Sequence, residues 1–403
     1  MLGLTLEGGG SRGAYQIGAW KAFRKLGIEF DGITGTSVGA LNGALMIQGD
    51  FDLAYDLWYN MEPSKVLNLD GDVCDILCDD NLVSKELNLV YKHIMKVVKG
   101  FGLDTKPLEC LVYEHLKEDV IRKSPKDFGI VTICLTDLKP LELHKEDIPL
   151  GKIADYLLAS SCLPVFKSKK YDGKSFLDGG FYNNLPIDML YKKGYRDVIA
   201  VRLNSQGRIK NCSYEDLNIN YIKSHKDLGR AIDFSRDRAR RNIQLGYFDT
   251  LRYFKDLKGK DYYITGDISE YKAFRYFMSL NEQTIKKLAT ILNLPHYMSL
   301  ERALLEGIIP RLFELCDLNK MSCYSDLVFA LLERMASIKN INPFEIYTVD
   351  MLVEMIEDRN IGKDRVIAKP KSKLYKSELF INKHLLVRNI VDIILQSEPY
   401  IQI

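Results

Sequence analysis

No apolar run in this 403-residue chain approaches the roughly 18 residues that a membrane-spanning helix requires. Neither sign of charge is in excess. Against 56 Lys and Arg stand 54 Asp and Glu, for a formal net charge of +2. A dedicated nucleic-acid binder would carry a strong basic surplus, so that class is set aside; membrane contact is neither required nor excluded. The N-terminus lacks the basic region and long apolar stretch of a signal peptide, and the chain is expected in the cytoplasm, at most peripheral at the inner membrane face. Cysteine is scattered over Cys74, Cys78, Cys110, Cys134, Cys162, Cys212, Cys316 and Cys323. Only Cys74 and Cys78 lie four apart, and no second pair or histidine cluster completes a zinc pattern. These thiols are read as reduced and mostly core-packed, and no metal is expected. There is no internal repeat, and the one mildly biased stretch is the basic linker Lys369-Pro370-Lys371-Ser372-Lys373. A hydrophobic content of 46% is ample for sizeable cores and excludes general disorder.

What is present is organised around Gly35-Thr36-Ser37-Val38-Gly39. This G-x-S-x-G follows a short strand candidate, Phe30 to Thr34, and precedes a helical run, Val38 to Gln48. Such a turn presents the serine hydroxyl at the sheet's edge, at a helix N-terminus. Gly39 and Gly43 lie one turn apart on one helix face and would let that helix pack closely on the sheet. Alone, the motif is also compatible with a structural turn.

A second feature lies upstream. The strand pattern Leu2 to Leu6 runs into Gly8-Gly9-Gly10-Ser11-Arg12-Gly13 and then into a helix, Ala14 to Leu26, with Gly27 as its stop. Glycines at a strand-to-helix turn aim backbone N–H groups at negative charge. Gly8, Gly10 and Gly13 fit a dinucleotide cradle; the same loop could serve as an oxyanion hole. The dinucleotide reading wants an acid at the end of the next strand. Ser37 occupies that place, which favours the oxyanion hole. Arg12 could steady the loop or meet an anionic substrate group. The third feature is Asp178-Gly179-Gly180, an acid at a strand end before a helix near Pro186.

Together the three motifs resemble the patatin-like phospholipases, which carry a glycine-rich loop, a G-x-S-x-G elbow and a D-G-[AG] motif in this order. Ala159-Ser160-Ser161-Cys162-Leu163-Pro164 and Asn183-Asn184-Leu185-Pro186 are similar to the segments that flank the family's acid motif. The resemblance spans roughly residues 1 to 260. It implies an α/β fold, three-layered with a central, mainly parallel sheet, and a Ser-Asp dyad with no catalytic histidine. Carried over, Ser37 is the nucleophile and Asp178 the base. The loop Gly8, Gly9, Gly10, Ser11, Arg12 and Gly13 forms the oxyanion hole, and Gly35, Gly39, Gly179 and Gly180 support the motifs. The implied substrates are phospholipids, lysophospholipids or other lipid esters, met by transient contact with a membrane surface and without a cofactor. A homodimer is left open. Two rivals remain. One is an α/β-hydrolase with a Ser-His-Asp triad, for which His225 or His296 has the right order. The other is a non-catalytic lipid- or nucleotide-binding module.

The rest of the chain divides into an expected acyl hydrolase domain, 1–265, and a helical C-terminal region, 266–403. Phe128 to Leu135 and Asp197 to Leu203 read as buried strands, and Ile153 to Ala159 as a helix. Ser160 and Ser161 lack an elbow and are read as capping or packing residues. Lys92, Lys96 and Lys99, interleaved with Ile94, Val97, Val98 and Phe101, suggest an amphipathic helix that covers the cleft or rests on anionic lipid. The basic segment Tyr221 to Arg241 reads as a solvated helix face with internal ion pairs, in preference to a patch for phospholipid headgroups or a phosphorylated partner. Beyond it, helices are expected over Tyr271–Leu280, Glu282–Leu292, Leu300–Cys316, Tyr324–Ile338 and His384–Leu395. The last of these carries an apolar stripe, Leu385, Leu386, Ile390, Ile393 and Ile394, expected to dock on the body of the protein. The region as a whole is expected to form a cap or dimerisation element.

Overall fold

The computed structural model describes residues 1–68, 102–171, 173–319, 321–358, 386, 389–391 and 393–394. The Cys74/Cys78 pair, His93, His384, the basic linker and the interleaved segment from Lys92 to Phe101 fall outside these residues. The chain divides into two compact units, Met1–Tyr253 and Phe254–Ile403.

The first unit is built on a mainly parallel sheet of eight strands. At its centre is β1 (Leu2–Leu6), whose Leu4 and Leu6 are fully buried. A 3₁₀ turn over Gly10–Gly13 leads into α1 (Ala14–Leu26), which stops at Gly27 with the left-handed φ of 69° that glycine favours. Then come β2 (Gly32–Thr36), α2 (Val38–Gln48) and α3 (Phe51–Tyr59). After α4 (Lys106–His115) and α5 (Glu118–Lys123) follow β3 (Asp127–Cys134), β4 (Lys139–His144) and α6 (Ile153–Ser160). The unit is completed by β5 (Lys170–Tyr171), β6 (Lys174–Asp178), α7 (Ile187–Lys192), β7 (Asp197–Val201), β8 (Asn218–Ile222) and α8 (Arg236–Lys255). The order β3-β2-β1-β7-β8 is parallel throughout. The strands alternate with helices, which is the arrangement that parallel pairing demands.

Two antiparallel neighbours of β3 interrupt the parallel pairing, and the second brings the serine and acid motifs together. Along one flank of β3 runs β4, antiparallel over Gly129 to Cys134. The other flank is shared. β2 pairs in parallel with residues up to Val131, opposite Thr36, and β6 pairs antiparallel from Thr132, opposite Asp178. The two strands therefore run toward each other along the same edge, and their C-terminal ends meet. Residue 37 and residue 178 are brought together by this register alone.

The observed β2 begins two residues later than the expected Phe30–Thr34. Phe30 is taken by the core, with its ring edge-on to Phe23 at 4.9 Å, and pairing with β1 starts only at Gly32. The expected helix face over Tyr221–Arg241 is corrected too. Tyr221 belongs to strand β8, residues 223–235 are irregular, and α8 starts at Arg236. Side chains there prefer to close local turns: Asp227 Oδ1 accepts from Gly229 N at 3.0 Å and Asp233 Oδ1 from Ser235 N at 3.1 Å.

The second unit is mainly helical. Its helices are α9 (Glu270–Met278), α10 (Glu282–Ile291), α11 (Leu300–Arg302), α12 (Ile309–Leu315), α13 (Tyr324–Ile338) and α14 (Val349–Asp358). Ser269, Asn281 and Ser299 cap α9, α10 and α11 by accepting a backbone N–H three residues on. The expected single helix over Leu300–Cys316 widens into a π turn at Ala303–Ile308, just before Pro310, which has no N–H to donate. β9 (Tyr263–Thr265) and β10 (Ile346–Thr348) pair in parallel, so one short strand stands where only helix was expected. The core gathers Phe277, Leu288, Ile308, Leu327 and Leu332, and from the C-terminal stripe Ile390 and Ile394 are buried in it. Buried Glu333 accepts the backbone amides of Lys260, Asp261 and Tyr262 at 2.7–2.8 Å. No helix among the described residues is long and apolar enough to cross a membrane.

Candidate active site

Ser37 sits between the last residue of β2 and the first of α2, with φ 55° and ψ −128°. A residue with a Cβ is strained there by about 1–3 kcal/mol, and surrounding contacts must hold it. Three hydrogen bonds do so. Ser160 Oγ accepts from Ser37 N at 2.8 Å and donates to Val131 O at 2.6 Å, and Thr36 Oγ1 donates to Asn183 O at 2.7 Å. The flanking glycines are required by contact: a Cβ on Gly35 would strike the backbone of Gly39, and one on Gly39 the carbonyl of Leu6. Gly43 faces Ile33 and Phe128, so α2 lies close on the sheet as its glycine spacing suggests.

Asp178 ends β6 and is 3% exposed; Ser37 is 6% exposed. Asp178 Oδ1 accepts from Gly180 N at 2.7 Å. Burial pushes its carboxyl up to about 6, opposed by the neighbouring Ser37 hydroxyl and the Gly180 amide. Oδ2 is buried without a hydrogen bond of normal geometry. The serine thus lies beside the carboxylate without a fully formed bond, as is common before substrate tightens a site. Cβ atoms on Gly179 and Gly180 would collide with Val131 and Asn184.

The glycine loop divides by use. The amides of Gly8, Ser11 and Arg12 are taken by Asn184 O, Ala231 O and Gly9 O at 3.1, 2.8 and 3.4 Å. Gly13 is a packing position, where a Cβ would meet Val38 and Trp58. Arg12 donates from Nε to Gly229 O at 2.8 Å and from Nη1 to Asn204 O at 3.1 Å, which ties the loop down. The amides of Gly9 and Gly10 have no hydrogen-bond partner among the described residues. Gly10 has φ +60°, and a Cβ there would run into the carbonyl oxygen of Ala231.

Gly8, Gly9, Gly10, Ser37, Asp178 and Gly180 share one cavity of about 440 Å³, completed by Leu163, Phe181, Asn184, the segment Ser205-Gln206-Gly207-Arg208 and Ala231. No histidine among the described residues lines it. His144 lies on β4 opposite Gly129, and His296 belongs to the second unit. Cys162 is no rival nucleophile, since burial pushes its thiol up to about 12. No group of His, Cys, Asp or Glu among the described residues could hold a metal ion.

Two contributors were not read from sequence as site residues. Ser160 reads from sequence as a capping or packing residue, and its hydroxyl fixes the strained amide of Ser37. Glu7, fully buried before the glycine loop, accepts from Leu203 N at 2.6 Å, Ser205 Oγ at 3.1 Å and Arg202 Nε at 2.9 Å. It thereby holds the 203–208 wall against the loop. An acid buried in an otherwise apolar strand pattern, Leu-Thr-Leu-Glu, is the signal that could have exposed it.

Residues 4–191 match the family model described as patatin-like phospholipase. They are a patatin-like phospholipase domain. A patatin-like phospholipase domain-containing protein of Caenorhabditis elegans is 31% identical over 51% of this chain and 14% of its own length. Neuropathy target esterase of Drosophila melanogaster is 26% identical over 68% of this chain and 18% of its own. A lysophospholipase of Scheffersomyces stipitis is 26% identical over 53% of this chain and 12% of its own. The chain therefore spans less than a fifth of these relatives' length. Among solved structures, VipD from Legionella pneumophila aligns over 90% of this chain and 81% of its own at 14% identity, with a TM-score of 0.40.

Proposed function

We propose that this patatin-like chain hydrolyses carboxylic esters of lipids through Ser37 and Asp178. The observation that carries the reading is the juxtaposition, in one cavity, of a strained serine, a buried carboxyl held near 6 and two unengaged amides. Asp178 takes the Ser37 proton, and Oγ attacks the ester carbonyl carbon. The carbonyl electrons move to oxygen, and the amides of Gly9 and Gly10 receive the charge. As the tetrahedral centre collapses, the alcohol leaves with the proton from Asp178 and an acyl-enzyme remains. Water, deprotonated by the same carboxylate, then releases the fatty acid. A carboxyl raised toward neutrality is a better base than an ordinary aspartate, which suits this cycle. The absence of a histidine from the described lining favours the dyad over a triad. The relatives named as esterase and lysophospholipase support lipid esters as the substrate class. Reaching them calls for transient contact with a lipid surface.

The test pairs a fluorophosphonate probe with hydrolysis of a short-chain nitrophenyl ester. Wild type should be labelled at Ser37 and should turn over the ester; Ser37→Ala, still folded, should do neither. Labelling elsewhere, or an active alanine variant, removes Ser37 from the mechanism. A folded wild type that is neither labelled nor active leaves the binding-module reading instead.

A further inference from the structure

The residues around the cavity neutralise almost every cation they contain. Arg12 is spent on backbone carbonyls, Arg202 on Glu7, and Lys210 on Glu142 and Asp188. Arg208 differs. Among the described residues it is the only cationic one in the cavity lining, and its exposed side chain has no hydrogen-bond or ion-pair partner there. Its backbone, by contrast, is fixed on both sides. Arg208 N donates to Gly180 O at 2.8 Å, and Arg208 O accepts from Asn184 N at 2.6 Å. Asn184 Nδ2 donates to Ser205 Oγ at 2.6 Å, and a Cβ on Gly207 would strike the Asn184 side chain, so the strand of backbone lies flat on that residue. The guanidinium is therefore presented from a rigid base beside the acid motif.

We propose that Arg208 selects the substrate: its guanidinium takes the phosphate of a phospholipid or lysophospholipid whose acyl carbonyl lies at Ser37, and gives no such help to a neutral glyceride. The proposal rests on the lipid ester reading above and narrows it. The physical grounds are two. An unpaired guanidinium fork matches phosphate oxygens in bidentate fashion, with charge-assisted bonds stronger than neutral ones. Among the described residues the one other charged group of the lining, Asp178, is buried and acidic, and the remaining lining residues are uncharged, so no second cation there competes for a phosphate. Phe181, 52% exposed, and Leu163 supply apolar surface for the acyl chain.

The experiment compares a lysophosphatidylcholine with a monoacylglycerol of the same acyl chain, in the same detergent micelles, on full-length wild type, Arg208→Gln and Arg208→Lys. Wild type should prefer the phosphate ester. In Arg208→Gln the ratio of the two kcat/KM values should fall by roughly 10–100-fold, mostly through KM for the phosphate ester. Arg208→Lys should recover part of that ratio, because the charge returns without the fork. An unchanged ratio in the Gln variant, or equal losses on both substrates, overturns the proposal; equal losses would mean that residue 208 merely props the wall. Those outcomes leave hydrolysis itself intact in wild type. A wild type that cleaves neither lipid sinks the lipid hydrolase reading and this proposal with it.

Discussion

A carboxyl pushed from an ordinary 3.8 to about 6 leaves its mark on both rate and stability. If Asp178 is the base, kcat/KM for a neutral ester should rise with pH through about 6 and level off above. A profile flat across that range removes it from the role. Asp178→Asn should cut turnover by about 10²–10⁴-fold, and no single histidine variant should match it. The sign for stability is the opposite of that for activity. Because the folded pKa lies above the unfolded one, the contribution of Asp178 is full below about pH 4 and is lost as pH rises through about 6. The uncharged Asn escapes that loss. Asp178→Asn should therefore melt higher than wild type above pH 6, by up to about 3 kcal/mol, and the two curves should converge toward pH 4. Melting scans at several pH values check this, and a uniformly less stable Asn variant contradicts the buried charge.

Between single residues and the fold stand the loop and the strand ends. Gly10→Ala adds a Cβ at φ +60° against the Ala231 carbonyl, so the loop must move and its free amides with it. Turnover should fall by about 10²–10³-fold, the usual cost of a lost oxyanion donor. Gly27→Ala is the matching control. Its φ is also left-handed, at +69°, but nothing lies within 4 Å, so it should cost about 1 kcal/mol of stability and no turnover. A Gly10 variant with normal kcat would take the oxyanion away from this loop. Ser160→Ala, which frees the Ser37 amide and the Val131 carbonyl in a buried place, should cost about 1–3 kcal/mol and slow turnover as well. These elements also show what could be read in advance. β1, α1, the elbow and α2 were legible because each combines local apolar spacing with glycine punctuation. β4 (Lys139–His144) was not, since its Lys-Pro-Leu-Glu-Leu-His text carries the exposed pattern of a sheet edge. β8 hid inside a basic segment whose turns depend on Asp227 and Asp233. The contributions of Ser160 and Glu7 depend on which backbone groups come to lie opposite them, and that is set by strand register far along the chain.

For the molecule as a whole, the division into compact units falls at Tyr253, near the end of α8. Residues 256–265 belong with the helical unit: Tyr262 and Ile264 are in its core, and β9 pairs with β10 and, through Ile264, with Lys258 of the same unit. Two truncations should therefore differ. A chain ending at Thr265 leaves Tyr262, Tyr263 and Ile264 without their neighbours and should aggregate, whereas one ending at Lys255 should be the more soluble. Size-exclusion profiles decide, and equal behaviour would contradict the boundary. The shared flank of β3 has one more effect. Ser37 and Asp178 arrive on strands from distant parts of the sequence, and the proposed dyad is assembled only once β6 has closed on β3 beside β2. Covalent labelling of Ser37 is then a clock for folding. In a refolding time course it should lag behind the recovery of helix signal, since it starts only when the sheet has shut.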